Sequence, residues 1–307
     1  MQEAHKNLLE IKSLSCSYTT RERATNLALN DISFMMPLGQ NLGVIGESGS
    51  GKSSLIRSLA KLIPSESKQI LFDGNRIDHL SQRDFNPLRK EMQLIFQDPH
   101  SSFNPYLSLQ RSLLEPLRAF PTTITKSLWQ EHIEEMVQEV GLSPSLLQRY
   151  PKELSGGMAQ RMNIARALLL HPKLILADEP VSALDFVIQA QVIDLMAQLQ
   201  ARYHTNYLII SHSFPIIKAL CPHIIILYKG RIVEYGATHN VMSNPIHPYT
   251  QQILLATRKP LSPISPQESE ATLVHKGEEY YFHPHVQAQH FITLTIASNH
   301  GVGVYRT

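Results

Sequence analysis

The sequence predicts an α/β fold: a parallel-sheet core, preceded by an antiparallel β-rich unit and interrupted by a helical insertion. Three observations carry that expectation. The apolar strand at residues 42–45 runs straight into the glycine-rich segment Gly46-Glu47-Ser48-Gly49-Ser50-Gly51-Lys52-Ser53, and a helical pattern follows it. Beyond residue 157, apolar strands alternate with helical stretches, which is how a parallel sheet with crossover helices reads. Between them, from Pro99 to about Leu154, the spacing is helical throughout.

Taken in order, residues 8–17, 27–35, 42–45 and 69–72 read as strands separated by polar and Gly/Asn-containing turns, giving a β-rich N-terminal unit. The helix after the glycine-rich loop covers residues 53–62 and is closed by Pro64. In the insertion, Leu128, Ile133, Met136, Val137 and Val140 share a face, and Gly141 is placed to cap the helix C-terminally. Then come a helix over 157–171, a buried strand over 174–177, a helix over 188–202, and strands at 207–210 and 224–227. The Pro/Ser-rich piece 260–266 reads as a linker, with possible tail strands at 280–282 and 291–296. These boundaries give one α/β domain over 7–257, with a helical subdomain at about 99–156 and a C-terminal extension at about 236–257, and leave 258–307 as linker and short tail.

Bulk composition narrows the function classes. With 43% hydrophobic and 18% charged residues the chain is globular rather than disordered. Its 28 basic and 26 acidic residues form no basic block, so no nucleic-acid partner is expected. Cys16 and Cys221 can build neither a disulfide scaffold nor a cysteine metal site, which fits a reducing, cytoplasmic setting. No run approaches the ~18 apolar residues of a membrane span, so any membrane association is expected to be peripheral.

The pattern G-x-x-x-x-G-K-[ST] arises by chance in roughly one in a hundred chains of this length, and here it has the strand and helix that its chemistry requires. Gly46, Gly49 and Gly51 let the amides of Glu47, Ser48, Ser50 and their neighbours curl around phosphate oxygens. The helix beginning near Gly51 points its positive end at them, Lys52 reaches the β- and γ-phosphates, Ser53 ligates Mg²⁺, and Ser54 adjoins it among the nucleotide-binding residues. A second element, Leu174-Ile175-Leu176-Ala177-Asp178-Glu179, delivers two carboxylates at the C-terminal end of a strand, where ligands of open α/β sheets sit. Asp178 is expected to hold Mg²⁺, and Glu179 to polarise the attacking water. A third, Leu154-Ser155-Gly156-Gly157, opens a helix with a hydroxyl and unobstructed amides; alone it reads as an N-cap with flexible glycines, beside a P-loop as a second anion site.

In that order the motifs resemble the ABC ATPases, whose hallmark is the Leu-Ser-Gly-Gly signature between a P-loop and an Asp-Glu strand. The resemblance covers about residues 8–257 and implies the P-loop ABC ATPase fold, with ATP and Mg²⁺ as ligands. It further implies that Tyr18 stacks on the adenine, that Gln97 senses Mg²⁺ and the lytic water, that Asp185 lies in the loop crossing the dimer interface, and that His212 is the switch histidine at the γ-phosphate. Ser155, Gly156 and Gly157 of one subunit then complete the ATP site of the other, so the working unit is a dimer with a second ABC ATPase, a relative or a copy.

Within the family, the segments 96–105, 149–153 and 188–191, and above all Asn244-Pro245-Ile246-His247-Pro248-Tyr249-Thr250, resemble the ATPases of dipeptide, oligopeptide and nickel importers. The resemblance implies an energy-coupling subunit on the cytoplasmic face of the cell membrane, partnered by two membrane-spanning permease subunits and, indirectly, an extracytoplasmic solute-binding protein. A soluble ABC ATPase of DNA repair, chromosome maintenance or translation is the rival expectation. Three features depart from the subgroup: Ser213 follows His212 where aspartate is usual, the cysteine-rich stretch after the His-Pro-Tyr segment is missing, and the tail carries His275, His283, His285, His290 and His300 without persuasive ligand spacing.

Overall fold

A computed structural model describes residues 7–19, 25–258, 272–276, 278–282, 290–297 and 300–306. The proposed linker at 260–266, with His283 and His285, lies outside the described residues. The chain forms two compact units, one built from residues 1–78 and 211–307, the other from 79–210.

The first unit opens with two long strands, β1 (Asn7–Thr19) and β2 (Thr25–Pro37), paired antiparallel. Leu9 and Ile11 point inward, Ser13 takes a left-handed φ of 55°, and the inward set then shifts phase to Leu14 and Cys16. That bulge lets one strand keep an apolar face although its sequence does not alternate strictly. β3 (Leu42–Ile45) follows and is buried throughout; α1 (Lys52–Leu59) leaves it, and β4 (Gln69–Phe72) with β5 (Asn75–Arg76) completes the four-stranded sheet β2-β1-β4-β5.

The second unit begins with the short α2 (Gln82–Phe85) and β6 (Met92–Ile95), then turns helical. α3 (Leu109–Ala119) buries Leu109, Leu113 and Leu117, one residue every four, and Ser108 caps its start. α4 (Trp129–Glu139) buries Ile133, Met136 and Val137. It ends as expected at Gly141: with φ at 72°, the Gly141 amide donates to Gln138 and the Leu142 amide to Val137, closing the orphan carbonyls in a Schellman turn. α5 (Gly156–Leu168), β7 (Leu174–Asp178), α6 (Phe186–Tyr203) and β8 (Asn206–Ser211) then alternate, with β6, β7 and β8 parallel and β7 and β8 buried throughout.

The chain returns to the first unit through α7 (Phe214–Leu220), β9 (His223–Tyr228), which pairs parallel to β3, and β10 (Arg231–Ala237), antiparallel to β9. α8 (Thr238–Ser243) and α9 (Pro248–Arg258) follow. The tail contributes more than its sequence suggests. It forms β11 (Thr272–His275), β12 (Glu278–Tyr281), β13 (His290–Ala297) and β14 (His300–Arg306), and β14 pairs antiparallel with β10. Tyr280, Phe282, Val302 and Val304 form a small apolar core beneath it, with Ile246 packed against them.

The β14–β10 junction depends on Gly301, which faces Tyr235: a Cβ there would lie 2.3 Å from the Tyr235 ring. Gly301→Ala is expected to cost about 1–3 kcal/mol by forcing that ring aside. The check is a lower urea midpoint at unchanged m-value.

Candidate nucleotide site

In the first unit the glycine-rich loop leaves β3 at Gly46 and closes on α1 at Lys52. Its shape is set by backbone that other residues cannot supply. Gly51 has φ at 105°, and a Cβ on it would sit 2.3 Å from the Ala28 carbonyl oxygen. The α1 N-terminus has no side-chain cap and no acidic residue in its first turn, so no side-chain charge there opposes an anion at the positive end of the helix dipole. The Lys52 ammonium, in a side chain only 7% exposed, donates to the carbonyls of Gly46 at 2.7 Å and Glu47 at 2.8 Å. A lysine so held lies folded along the loop that it serves. Two further ties fix the loop from outside: the Gly230 amide donates to the Ser50 carbonyl at 2.9 Å, and the Glu47 amide donates to the Tyr249 hydroxyl at 2.8 Å.

Tyr18, near the end of β1, and Ser54, in the first turn of α1, come together with their hydroxyls 3.2 Å apart. The ring is 40% exposed, which leaves a face for a base to stack on. Ser53 stands one residue into α1. His212 is exposed on the turn after β8, and the Ser213 amide closes that turn on the Ser211 hydroxyl at 3.0 Å. The turn carrying the histidine is therefore tied through Ser211, whichever residue stands at 213.

In the second unit β7 ends on Asp178, buried, and Glu179, half-buried. Glu179 adopts a left-handed φ of 48°, uncommon for a residue with a side chain, and its amide is held by the Ile210 carbonyl at 2.9 Å. This local strain turns the carboxylate off the strand line. The structure brings Glu179 and Gln97 together: Gln97 Nε2 donates to Glu179 Oε2 at 3.2 Å.

The segment that follows Gln97 is fastened to α5. Asn163 Nδ2 donates to the Pro99 carbonyl at 3.0 Å, Arg166 donates to the Ser102 carbonyl, and the Arg166 guanidinium lies 4.8 Å from the Phe103 ring centre. α5 is the helix opened by the signature. Ser155 caps it, its Oγ accepting from the Met158 amide at 3.4 Å, and Asp185 caps α6 in the same way, accepting from Ile188 at 3.1 Å. Gly156 lies at the first turn of α5. A Cβ on Gly157 would lie 2.7 Å from Ile188 Cγ2, so the second signature glycine also admits α6 alongside α5.

Sequence reading of the His-Pro-Tyr stretch sees only a turn before a helix. It misses that Tyr249 reaches the glycine-rich loop, because 202 residues separate it from Glu47 and no local pattern links them. Among the described residues no group of three or more potential ligands could hold a metal through His, Cys, Asp and Glu alone, and no helix is long and apolar enough to cross a membrane.

Residues 29–182 match the family model described as ABC transporter. The uncharacterized ABC transporter ATP-binding protein YejF of Escherichia coli is 39% identical over 260 residues, 83% of this chain and 49% of that protein, so the chain spans about half of that relative's length. The oligopeptide transport ATP-binding protein AppF of Bacillus subtilis is 43% identical over 74% of this chain and 69% of its own. A putative peptide import ATP-binding protein of Brucella ovis is 42% identical over 82% and 79%. Among solved structures, cbiO1 from Clostridium perfringens superposes with a TM-score of 0.68 at 22% identity, covering 83% of this chain and 97% of that one. The ATP-binding cassette MJ0796, solved as a dimer in a post-hydrolysis state with ADP and Pi, gives a TM-score of 0.68 at 23% identity over 75% and 98%.

The Gly157–Ile188 contact can be tested on its own. Gly157→Ala is expected to destabilise the chain by about 1–3 kcal/mol, and by clearly less in an Ile188→Ala background, where the clash is gone. A double-mutant cycle in urea unfolding measures that coupling.

Proposed function

Because this chain belongs to the ATP-binding proteins of ABC transporters, we propose that it is the ATP-hydrolysing, energy-coupling subunit of an importer of peptides or a related small solute. The relatives named for oligopeptide transport and peptide import support the substrate class. The observation that carries the catalytic reading is the hydrogen bond from Gln97 to Glu179. It places an amide, which can orient a water, on a carboxylate, which can take that water's proton.

The residues divide the work by their chemistry. The Glu47 amide, expected from sequence to face phosphate, is taken by the Tyr249 hydroxyl; the loop amides beyond it and the α1 N-terminus hold phosphate oxygens, and the Lys52 ammonium exchanges its loop carbonyls for the β- and γ-phosphates. Tyr18 offers its exposed face to the base, with Ser54 anchoring its hydroxyl. Glu179 accepts the proton of the attacking water, Gln97 aligns that water, and His212 contacts the γ-phosphate. The ligand types suit Mg²⁺: the Ser53 hydroxyl of the first unit, and in the second the Gln97 amide oxygen and the carboxylate of Asp178, 7% exposed at the end of its strand, are each hard oxygen ligands. The ion, when bound, neutralises charge between the β- and γ-phosphates.

Ser155, Gly156, Gly157 and Asp185 serve the nucleotide of a partner ATPase, a paralogue or a second copy, so that the sandwiched γ-phosphate closes the dimer and its loss opens it. The fastening of residues 99–103 to α5 supports a mechanical path: displacement at Gln97 carries the signature helix with it. A hollow of about 350 Å³ in the second unit, lined by Arg89, Gln93, Phe96, Glu115, Phe120 and Arg166, offers a permease segment a place beside that path. The chain thus works peripherally, at the cytoplasmic face of the membrane, against two permease subunits supplied by a solute-binding protein.

Glu179→Gln keeps the shape and the bond to Gln97 but removes the base. It is expected to leave ATP affinity within about twofold while lowering turnover by about 10²- to 10⁴-fold; phosphate release by the reconstituted transporter measures it, and undiminished turnover would remove Glu179 from the role. Lys52→Ala is expected to act on the other quantity, weakening nucleotide binding directly in an equilibrium titration.

A further inference from the structure

The tail sheet connects to the glycine-rich loop through an unbroken series of buried contacts, all within the first unit. On β10, the carboxylate of Glu234 is fully buried. Its Oε1 lies 2.7 Å from His300 Nε2 of β14 and accepts from the Ile246 amide at 2.9 Å, while Oε2 accepts from the His247 amide at 3.0 Å. The two amides pin the loop that opens α9, and the tail holds the carboxylate that pins them. His247, 1% exposed, is wedged edge-on against the Phe282 ring of the tail at 5.1 Å, and its Nδ1 accepts from the Tyr249 amide at 3.1 Å. Tyr249, in turn, is 3% exposed and packs on the Tyr228 ring at 4.2 Å. Its hydroxyl accepts from the Glu47 amide in the glycine-rich loop. Burial pushes the Tyr249 phenol well above its ordinary pKa, so it remains a neutral hydroxyl at physiological pH.

We propose that Tyr249 is a positioning residue for the nucleotide loop, and that the C-terminal sheet sets nucleotide affinity by holding Tyr249 through His300, Glu234 and His247. The inference rests on the nucleotide-binding reading of Gly46–Ser53. A phosphate cradle binds tightly when its amides already converge, because ordering them on binding costs conformational entropy. The bond at Glu47 fixes the first peptide after β3, upstream of the amides that converge. Without the hydroxyl, the Glu47 amide must find another partner, and the loop gains conformations that do not bind. The tail gives a reason why the His-Pro-Tyr segment keeps its shape: two of its backbone amides end on a carboxylate whose remaining partner is a tail histidine.

The test measures MgADP affinity by calorimetry on the full 307-residue chain, alongside thermal unfolding without nucleotide. Tyr249→Phe retains the ring and its packing on Tyr228 and is expected to weaken MgADP by about 3- to 10-fold, the factor for one net hydrogen bond. His300→Ala is expected to weaken binding in the same direction, and His300→Gln, which keeps a donor for Glu234, to restore it. In a Tyr249→Phe background, His300→Ala should add little, since it acts through the hydroxyl already removed. Parent-like affinity in Tyr249→Phe, with the parent chain binding normally, overturns the proposal alone. Equal losses from His300→Ala in both backgrounds, or losses that follow the apo unfolding temperature across all variants, overturn the link through the tail. A parent chain that does not bind MgADP removes the nucleotide reading itself, which is a different result.

Discussion

Six residues of backbone, from Gly46 to Gly51, must bend tightly between β3 and α1, and much of the first unit is arranged around that demand. The bend leaves no room for a side chain where Gly51 passes the Ala28 carbonyl, so β2 forms one wall of the loop. The turn between β9 and β10 ties the Ser50 carbonyl through Gly230, and Tyr249 ties the Glu47 amide. A glycine-rich segment is by itself entropically expensive to order. Here the order comes from three structurally separate elements, each meeting the loop backbone at one point, and from Lys52, whose ammonium bridges two carbonyls of the same loop. The loop is thus held in shape by its surroundings as well as by its own lysine.

The second unit obeys a different constraint. Its central pair, Gln97 and Glu179, lies just beyond the C-terminal ends of separate parallel strands, β6 and β7, and those ends lie side by side. Pairing there places both side chains beyond the same edge of the sheet. Glu179 then departs from extended geometry, with a positive φ at a residue whose amide is fixed and whose carbonyl accepts from the Ser182 hydroxyl. Strain of this kind costs of order 1–3 kcal/mol and persists where the surrounding structure over-determines it. On the β6 side, the segment after Gln97 has no regular structure of its own and borrows rigidity from α5 through Asn163 and Arg166. A segment that leans on a helix, rather than on itself, moves with that helix.

The legibility of these features in the sequence follows their range. The P-loop, the Asp178-Glu179 strand end and the Gly141 cap were readable because each is determined within about ten residues by backbone rules: left-handed glycine, apolar strand, orphan carbonyl. The helical insertion was readable from the spacing of Ile133, Met136 and Val137 alone. Strand β10 and the tail strands β11 and β14 were not, because their residues are of mixed polarity and acquire their faces only by pairing: Gly301 and Gly303 carry no propensity for a strand, yet both lie in β14 where Tyr235 and Phe291 cover them. His300 reads in sequence as one of several tail histidines without ligand spacing, and it is buried against Glu234, 66 residues away. Long-range burial of a polar pair leaves no local trace.

Ser155 and Asp185 bear on how a capping residue and a binding residue relate. Each caps its own helix, and each is also expected to serve a partner's nucleotide. The two duties are chemically compatible for different reasons. A serine hydroxyl that accepts from the Met158 amide uses a lone pair and retains its O–H, so it can still donate to a phosphate oxygen; the 3.4 Å length of that cap leaves it loosely committed. An aspartate has no proton to give, but its second oxygen keeps its lone pairs after Oδ1 takes the Ile188 amide, so it remains an acceptor for a donor on a facing subunit. The cap fixes each side chain's rotamer before any partner arrives, which removes part of the ordering cost of association. Helix capping in this sense prepares the surface that the proposed dimer uses: the interaction that starts each helix inside the chain orients the atom offered outside it.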